Sequence, residues 1–178
     1  MTERLYAMDA LKEHTIAFSG LKDGAHVYQF QLSEAFFTAA GEEEMEGGDV
    51  LVDVGLDKSP TLLVVDLHAK GTVDLRCDHC DAPLAFALEG SQKQIFRLTG
   101  EEEYDDDELV SLETGAHSVN LTHYIYECLR LALPIRHVHA PGECDPEVEK
   151  VLERLRVSQE PVPDPRWGVL DQLKNQQP

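Results

Sequence analysis

Apolar residues fall at every second position through the middle of the chain: Val50, Val52, Val54 and Leu56, then Leu63, Val65, Leu67 and Ala69, then Val73, Leu75 and Cys77. Successive side chains of a strand point to opposite faces, so this period marks strands buried on one side and wetted on the other. Tyr28, Phe30 and Leu32 alternate in the same way after an Asp23-Gly24 turn signal, and Ile16 and Phe18 do so before it. Residues 84–98 give further strand, with Phe86 and Leu88 inward, followed by Ile95 or Phe96. Ser33 to Ala40 reads as a short helix with Ser33 as its cap. The expectation is a mostly antiparallel, curled sheet filling the N-terminal half.

The period then changes. Leu121, Ile125, Cys128, Leu129 and Ala132 fall on one helical face, with Asn120 as a cap and Pro134 as a stop. Asp145-Pro146-Glu147 opens a second helix: cap, first-position proline, and acid near the positive end of the dipole. Val148, Val151, Leu152 and Leu155 form the stripe this helix is expected to bury. The reading is therefore α+β, a single domain over residues 1–158 with two helices after the sheet. Residues 159–178 follow as a linker with Pro161, Pro163 and Pro165 and a short amphipathic tail carrying Trp167, Leu170 and Leu173.

Charge narrows the function classes. The 178 residues carry a formal net charge of −19, and residues 1–129 hold 26 of the 34 acidic residues against 8 basic ones. Affinity for nucleic acid comes largely from neutralising phosphates with Lys and Arg, so such a surface repels RNA; it serves solubility or docks a basic partner. Residues 101–108 are acidic at every position but Tyr104 and read as a solvated loop. They lack the glycine and the bidentate glutamate of a calcium loop. No Gly-rich phosphate loop, H-E-x-x-H or G-x-S-x-G is present, so no catalytic residue is assigned and a non-enzymatic protein is expected. His14, His26, His68, His117 and His123 are scattered singly, as surface or packing residues are. With no signal peptide and no bilayer-length apolar stretch, the expected location is the cytoplasm.

The sharpest local signal is Cys77-Asp78-His79-Cys80, directly after a strand. Two thiolates at this spacing can chelate one ion from a tight turn. His137-Val138-His139 and Cys144, about sixty residues on, could complete a mixed tetrahedral zinc site. The preferred set is Cys77, Cys80, His139 and Cys144, with His137 or His79 as substitutes for His139. Two other readings stay open: a redox pair, though no βαβ unit is evident, and reduced cysteines without an ion. Cys128 lies on the apolar helical stripe and reads as core.

The order of these motifs resembles the YceD-like family of large ribosomal RNA accumulation proteins. Gly71-Thr72-Val73-Asp74-Leu75-Arg76-Cys77-Asp78-His79-Cys80 is similar to the family's strand leading into C-x-R-C, with His79 where many members carry Arg. Leu131-Ala132-Leu133-Pro134 is similar to its L-A-L-P, Val138-His139 and Cys144 to the V-H…C of some members, and residues 163–173 to its closing segment. The resemblance covers roughly residues 10–174. It implies a small acidic factor of bacterial ribosome production, acting on the synthesis, processing or stability of large-subunit ribosomal RNA. Joined to the charge, it gives an adaptor that binds a basic ribosomal protein or RNA-processing protein. Its contacts would be Glu101, Glu102, Glu103, Asp105, Asp106 and Asp107, with Trp167, Leu170 and Leu173. A direct RNA-binding protein using Arg130, Arg136, Lys150, Arg154 and Arg156 is the alternative, and a zinc-stabilised structural domain of other role is another.

Overall fold

In the computed structural model the alternating stretches form strands. The structure describes residues 12–40, 44–98, 109–113 and 115–156. The expected acidic loop at 101–108 and the linker and tail at 159–178, including Trp167, Leu170 and Leu173, lie outside the described residues. The described elements in chain order are β1 (Thr15–Ala17), β2 (Gly24–Leu32), α1 (Glu34–Ala40), β3 (Gly47–Lys58), β4 (Leu62–Arg76), β5 (Pro83–Arg97), β6 (Leu109–Ser111), β7 (Ser118–Asn120), α2 (Thr122–Ala132) and α3 (Pro146–Leu155). The architecture is α+β. The chain divides into two compact units, Met1–Cys144 and Asp145–Pro178.

In the first unit a five-stranded sheet runs in the order β2-β3-β4-β5-β6, and β1 pairs with β7 separately. The pairings are antiparallel except β5 with β6, which is parallel. The expected curling is not found: the sheet is open, with two edges, and is not strongly curled. The reason lies in the register. β3 with β4 and β4 with β5 pair residue for residue along their whole lengths, without the bulges that bend a sheet.

One parity of the sheet is dry. Val50, Val52, Val54, Leu63, Val65, Ala69 and Val73 are fully buried, while Leu51, Asp53, Asp66, His68 and Lys70 on the other parity are exposed. Each buried Val or Leu side chain is worth about 1.5–3 kcal/mol relative to exposure, which is why parity fixes the register. Phe96 rather than Ile95 turns inward. α1 forms where the Ser33–Ala40 helix is expected, between β2 and β3, and buries Phe36 and Phe37, so the described residues hold three helices, this one and the pair after the sheet. His14 is a packing residue, its ring edge-on to Phe30 and Phe36 at centroid distances of 5.2 and 5.0 Å.

α2 lies on the dry face with Ile125, Tyr126, Cys128 and Leu129 buried. It approaches β5 so closely that a Cβ on Gly90 would stand 2.7 Å from the Ala132 Cβ, so only glycine fits there without a shift. Asn120 contributes to the helix start as expected, its Oδ1 accepting the Thr122 N–H at 2.9 Å, although the cap position itself is Leu121.

In the second unit, α3 has the expected entry: Pro146 sits in the first turn and Asp145 Oδ1 accepts the Glu147 N–H at 2.8 Å. Its stripe, however, is not buried. Val151, Leu152 and Leu155 are exposed and no residue of α3 is buried. Helical periodicity names the face to be covered, not the group that covers it.

Candidate metal site

The parity that builds the sheet also delivers the first ligand. Buried positions continue along β4 from Leu63 through Leu75 and bring Cys77 to the dry side, where it is 2% exposed. Arg76 pairs with Pro83, so Cys77–Ala82 is the hairpin loop between β4 and β5. The Cys77 N–H donates to the Ala82 carbonyl at 3.0 Å, and the Asp81 N–H donates to the Cys77 carbonyl at 2.8 Å. Asp81 takes φ 59°, a left-handed conformation that Asp tolerates better than most residues. The turn thus sets both sulfurs on one side.

The segment after α2 supplies the other half. Asp78 holds it: the Asp78 N–H donates to the His137 carbonyl at 3.0 Å, and Asp78 Oδ2 accepts the His137 N–H at 2.7 Å. Asp78 Oδ1 also lies 3.5 Å from His137 Nε2. These contacts bring His139 and Cys144 over the hairpin loop. The ligand atoms of Cys77, Cys80, His139 and Cys144 then lie within 4.8 Å of one another. His137, a proposed substitute, is engaged by Asp78 instead, and neither it nor His79 belongs to this group of four.

This cluster could hold a metal ion. His139 Nε2 lies 3.0 Å from the Pro83 carbonyl, which accepts only if Nε2 carries the proton. That leaves the Nδ1 lone pair facing the sulfurs, the outer-shell arrangement that orients metal-binding histidines. Nδ1 is 3.5 Å from Cys80 Sγ and 4.0 Å from Cys144 Sγ. Tetrahedral zinc bond lengths place a nitrogen and a sulfur ligand about 3.5 Å apart and two sulfurs about 3.8 Å apart. Closing the set around such an ion therefore needs movements of about 1 Å at most.

The thiols are electrostatically unequal. Burial pushes the Cys77 thiol up, but the backbone N–H groups of Cys80, His139 and His79, with the Cys80 side chain, outweigh it and bring it down to about 6. Burial and the neighbouring Cys80 and Cys77 sulfurs push Cys144 up to about 11. The Pro83 carbonyl favours the protonated His139 ring and raises it. Crowded sulfurs resist taking a second negative charge, and a cation among them removes that resistance. Cys128 stands apart on α2, buried in the core, its thiol pushed up by burial.

A profile of the family described as large ribosomal RNA subunit accumulation protein YceD matches residues 65–174. The chain belongs to this family. No curated protein and no solved structure shows significant similarity to it. The YceD match begins inside β4 and takes in all four donors of the cluster, together with Asp78 and Pro83. Sequence reading missed those last two. An Asp between two cysteines looks like a spacer, and a backbone carbonyl leaves no trace in the sequence. No described helix is long and apolar enough to cross a membrane.

Proposed function

We propose that the chain is a non-enzymatic cytoplasmic factor in large-subunit ribosomal RNA accumulation, carrying one structural zinc ion and acting by binding a basic protein. The observation that carries the reading is the four-donor cluster within the segment that matches the family. Three sulfurs and one imidazole suit zinc, and four protein ligands describe a closed structural site rather than a catalytic one with an open position. Cys77, Cys80, His139 and Cys144 would hold it, fixing the β4–β5 hairpin loop to the segment that follows α2.

Charge supports a basic protein partner. An open cleft of about 840 Å³ beside Pro83 is rimmed by Glu34, Glu46, Asp49 and Asp74. The residues of the RNA-binding alternative are partly engaged: Arg130 pairs with Glu44 at 2.8 Å and Lys150 with Glu147 at 2.7 Å. The acidic residues 101–107 and the tail with Trp167, Leu170 and Leu173 are part of the proposed contact surface. The partner is a basic ribosomal protein or an RNA-processing protein.

Elemental analysis of untagged protein should find about one zinc per chain, and its absence would remove the metal from the proposal. A strain lacking the gene should hold less large-subunit RNA relative to small-subunit RNA. An unchanged ratio would remove the role. Tight binding of the protein to naked ribosomal RNA at physiological salt would hand the mechanism to the basic residues instead.

A further inference from the structure

Among the described residues the β2 edge of the sheet is unguarded. Sheet edges expose unpaired N–H and C=O groups, and proteins usually blunt them with charge, proline, bulges or short strands. β2 is nine residues long, Gly24-Ala25-His26-Val27-Tyr28-Gln29-Phe30-Gln31-Leu32, and contains no Asp, Glu, Lys, Arg or Pro. It pairs with β3 without a bulge, and among the described residues no strand pairs with its other side. Val27 is 80% exposed. In a chain whose residues are 28% charged, an edge of this length without a formal charge stands out.

The row behind that edge is charged. Asp49, Asp53 and Asp57 occupy the wetted parity of β3; Asp53 and Asp57 stand opposite Gln29 and Ala25 of β2, and Asp49 lies diagonal to Gln31, which pairs with Leu51. Gln29 Nε2 donates to Asp53 Oδ1 at 2.7 Å, and Gln31 Nε2 donates to Asp49 Oδ1. Neither contact neutralises a carboxylate. A strand added outside β2 would run two strand spacings from these carboxylates, on the order of 10 Å. That distance is comparable with the Debye length of about 8 Å at physiological salt. Long cationic side chains on the added strand would close much of it.

We propose that an extended, Lys/Arg-rich segment of the partner adds to β2 as a sixth strand, its backbone paired with the free edge and its cations facing the Asp49, Asp53 and Asp57 row. This rests on the basic-partner reading and specifies where and how that partner binds. A second copy of the chain is the poorer occupant, because two paired β2 edges would bring two such aspartate rows together between molecules that each carry −19. Strand addition takes its affinity from main-chain hydrogen bonds and its selectivity from alternate side chains, which matches a neutral edge backed by periodic charge.

The test uses the full chain and a labelled peptide of alternating Lys and Val, about as long as β2. The peptide should bind and should slow amide exchange across residues 24–32. The same peptide N-methylated along one edge keeps its charge but loses donors. It should bind about tenfold more weakly or worse, since each lost bond is worth up to roughly a decade. Val27→Lys should weaken binding similarly. The triple variant Asp49→Asn, Asp53→Asn, Asp57→Asn should weaken it several-fold at low salt and converge with the wild type as salt rises. Equal binding of the methylated peptide would overturn strand addition, as would unchanged exchange in β2. A wild-type dimer dissolved by Val27→Lys would give the edge to a second copy. If Val27→Lys captured basic proteins from cells as well as wild type while the peptide failed, the partner reading would stand and this inference would fall.

Discussion

The sheet and the cysteine-bearing end of the first unit are held together by different means. β3, β4 and β5 rest on long uninterrupted registers and a dry face of fully buried side chains. The end formed by residues 77–82 and 133–144 is irregular backbone, tied by the Asp78 contacts, the His139–Pro83 bond and a group of thiols. Exposed Ile135 and half-exposed Val138 show how little apolar burial anchors it. The sheet stands by burial, and the cysteine end by a few directional bonds and any ion they share. Damage to one should therefore unfold the molecule, and damage to the other should loosen it locally.

The largest effect is expected in the sheet. Leu67→Ala removes a fully buried side chain from the central strand and should cost about 2–5 kcal/mol by denaturant titration. A cost below about 1 kcal/mol would mean the dry face can repack, and would blur the contrast. Next is Gly90→Ala, which places a methyl group against Ala132 and should cost about 1–3 kcal/mol by forcing α2 away from β5. Amide exchange in α2 should rise in that variant, while exchange in β3 changes little.

At the cysteine end, Cys80→Ser should abolish stoichiometric zinc yet leave the sheet's amide protection intact. Chelation of the wild type should give the same picture, with faster exchange confined to residues 77–82 and 133–144. Global unfolding on chelation would erase the proposed division. The smallest effect is in pH. At pH 7 Cys77, brought down to about 6, is mainly thiolate, whereas Cys144, pushed up to about 11, is protonated and must release its proton when zinc binds. Calorimetry in buffers of different ionisation enthalpy should detect that release. Below pH 6 Cys77 is protonated as well, so affinity should fall more steeply with acid there than above it.

How much of this could be read from the sequence follows the same division. Val50 to Leu56 and Leu63 to Leu75 announced their strands because burial on one face imposes a strict period of two. β4 runs unbroken through Gly71, the inward position between Ala69 and Val73 that carries no side chain. The three-residue strands β6 and β7 carry too little pattern to be seen, and Gln94, buried at an inward position of β5, interrupts the pattern where it would have helped. Donor residue types and spacing were enough to select Cys77, Cys80, His139 and Cys144 as a group. Their convergence depends on the Asp78 carboxylate at the His137 N–H and on the Pro83 carbonyl at His139, contacts with backbone groups that no residue pattern encodes. The stripe on α3 was legible as a stripe, but not as one left exposed.

The Asp78 contacts join positions 59 residues apart, and the paired sulfurs of the hairpin loop wait on His139 from across the same interval. Synthesis runs at about 5–20 residues per second, so Cys77 and Cys80 leave the ribosome on the order of 3–12 s before the donors that complete the set. During that interval a nascent chain offers only a bidentate half-site. An ion held by all four ligands is consequently acquired only after β5 and α2 have formed and brought the later segment back to the hairpin. Metal content in a purified sample would then serve as a record of finished chains, separating molecules that completed this end from those arrested with the sheet alone.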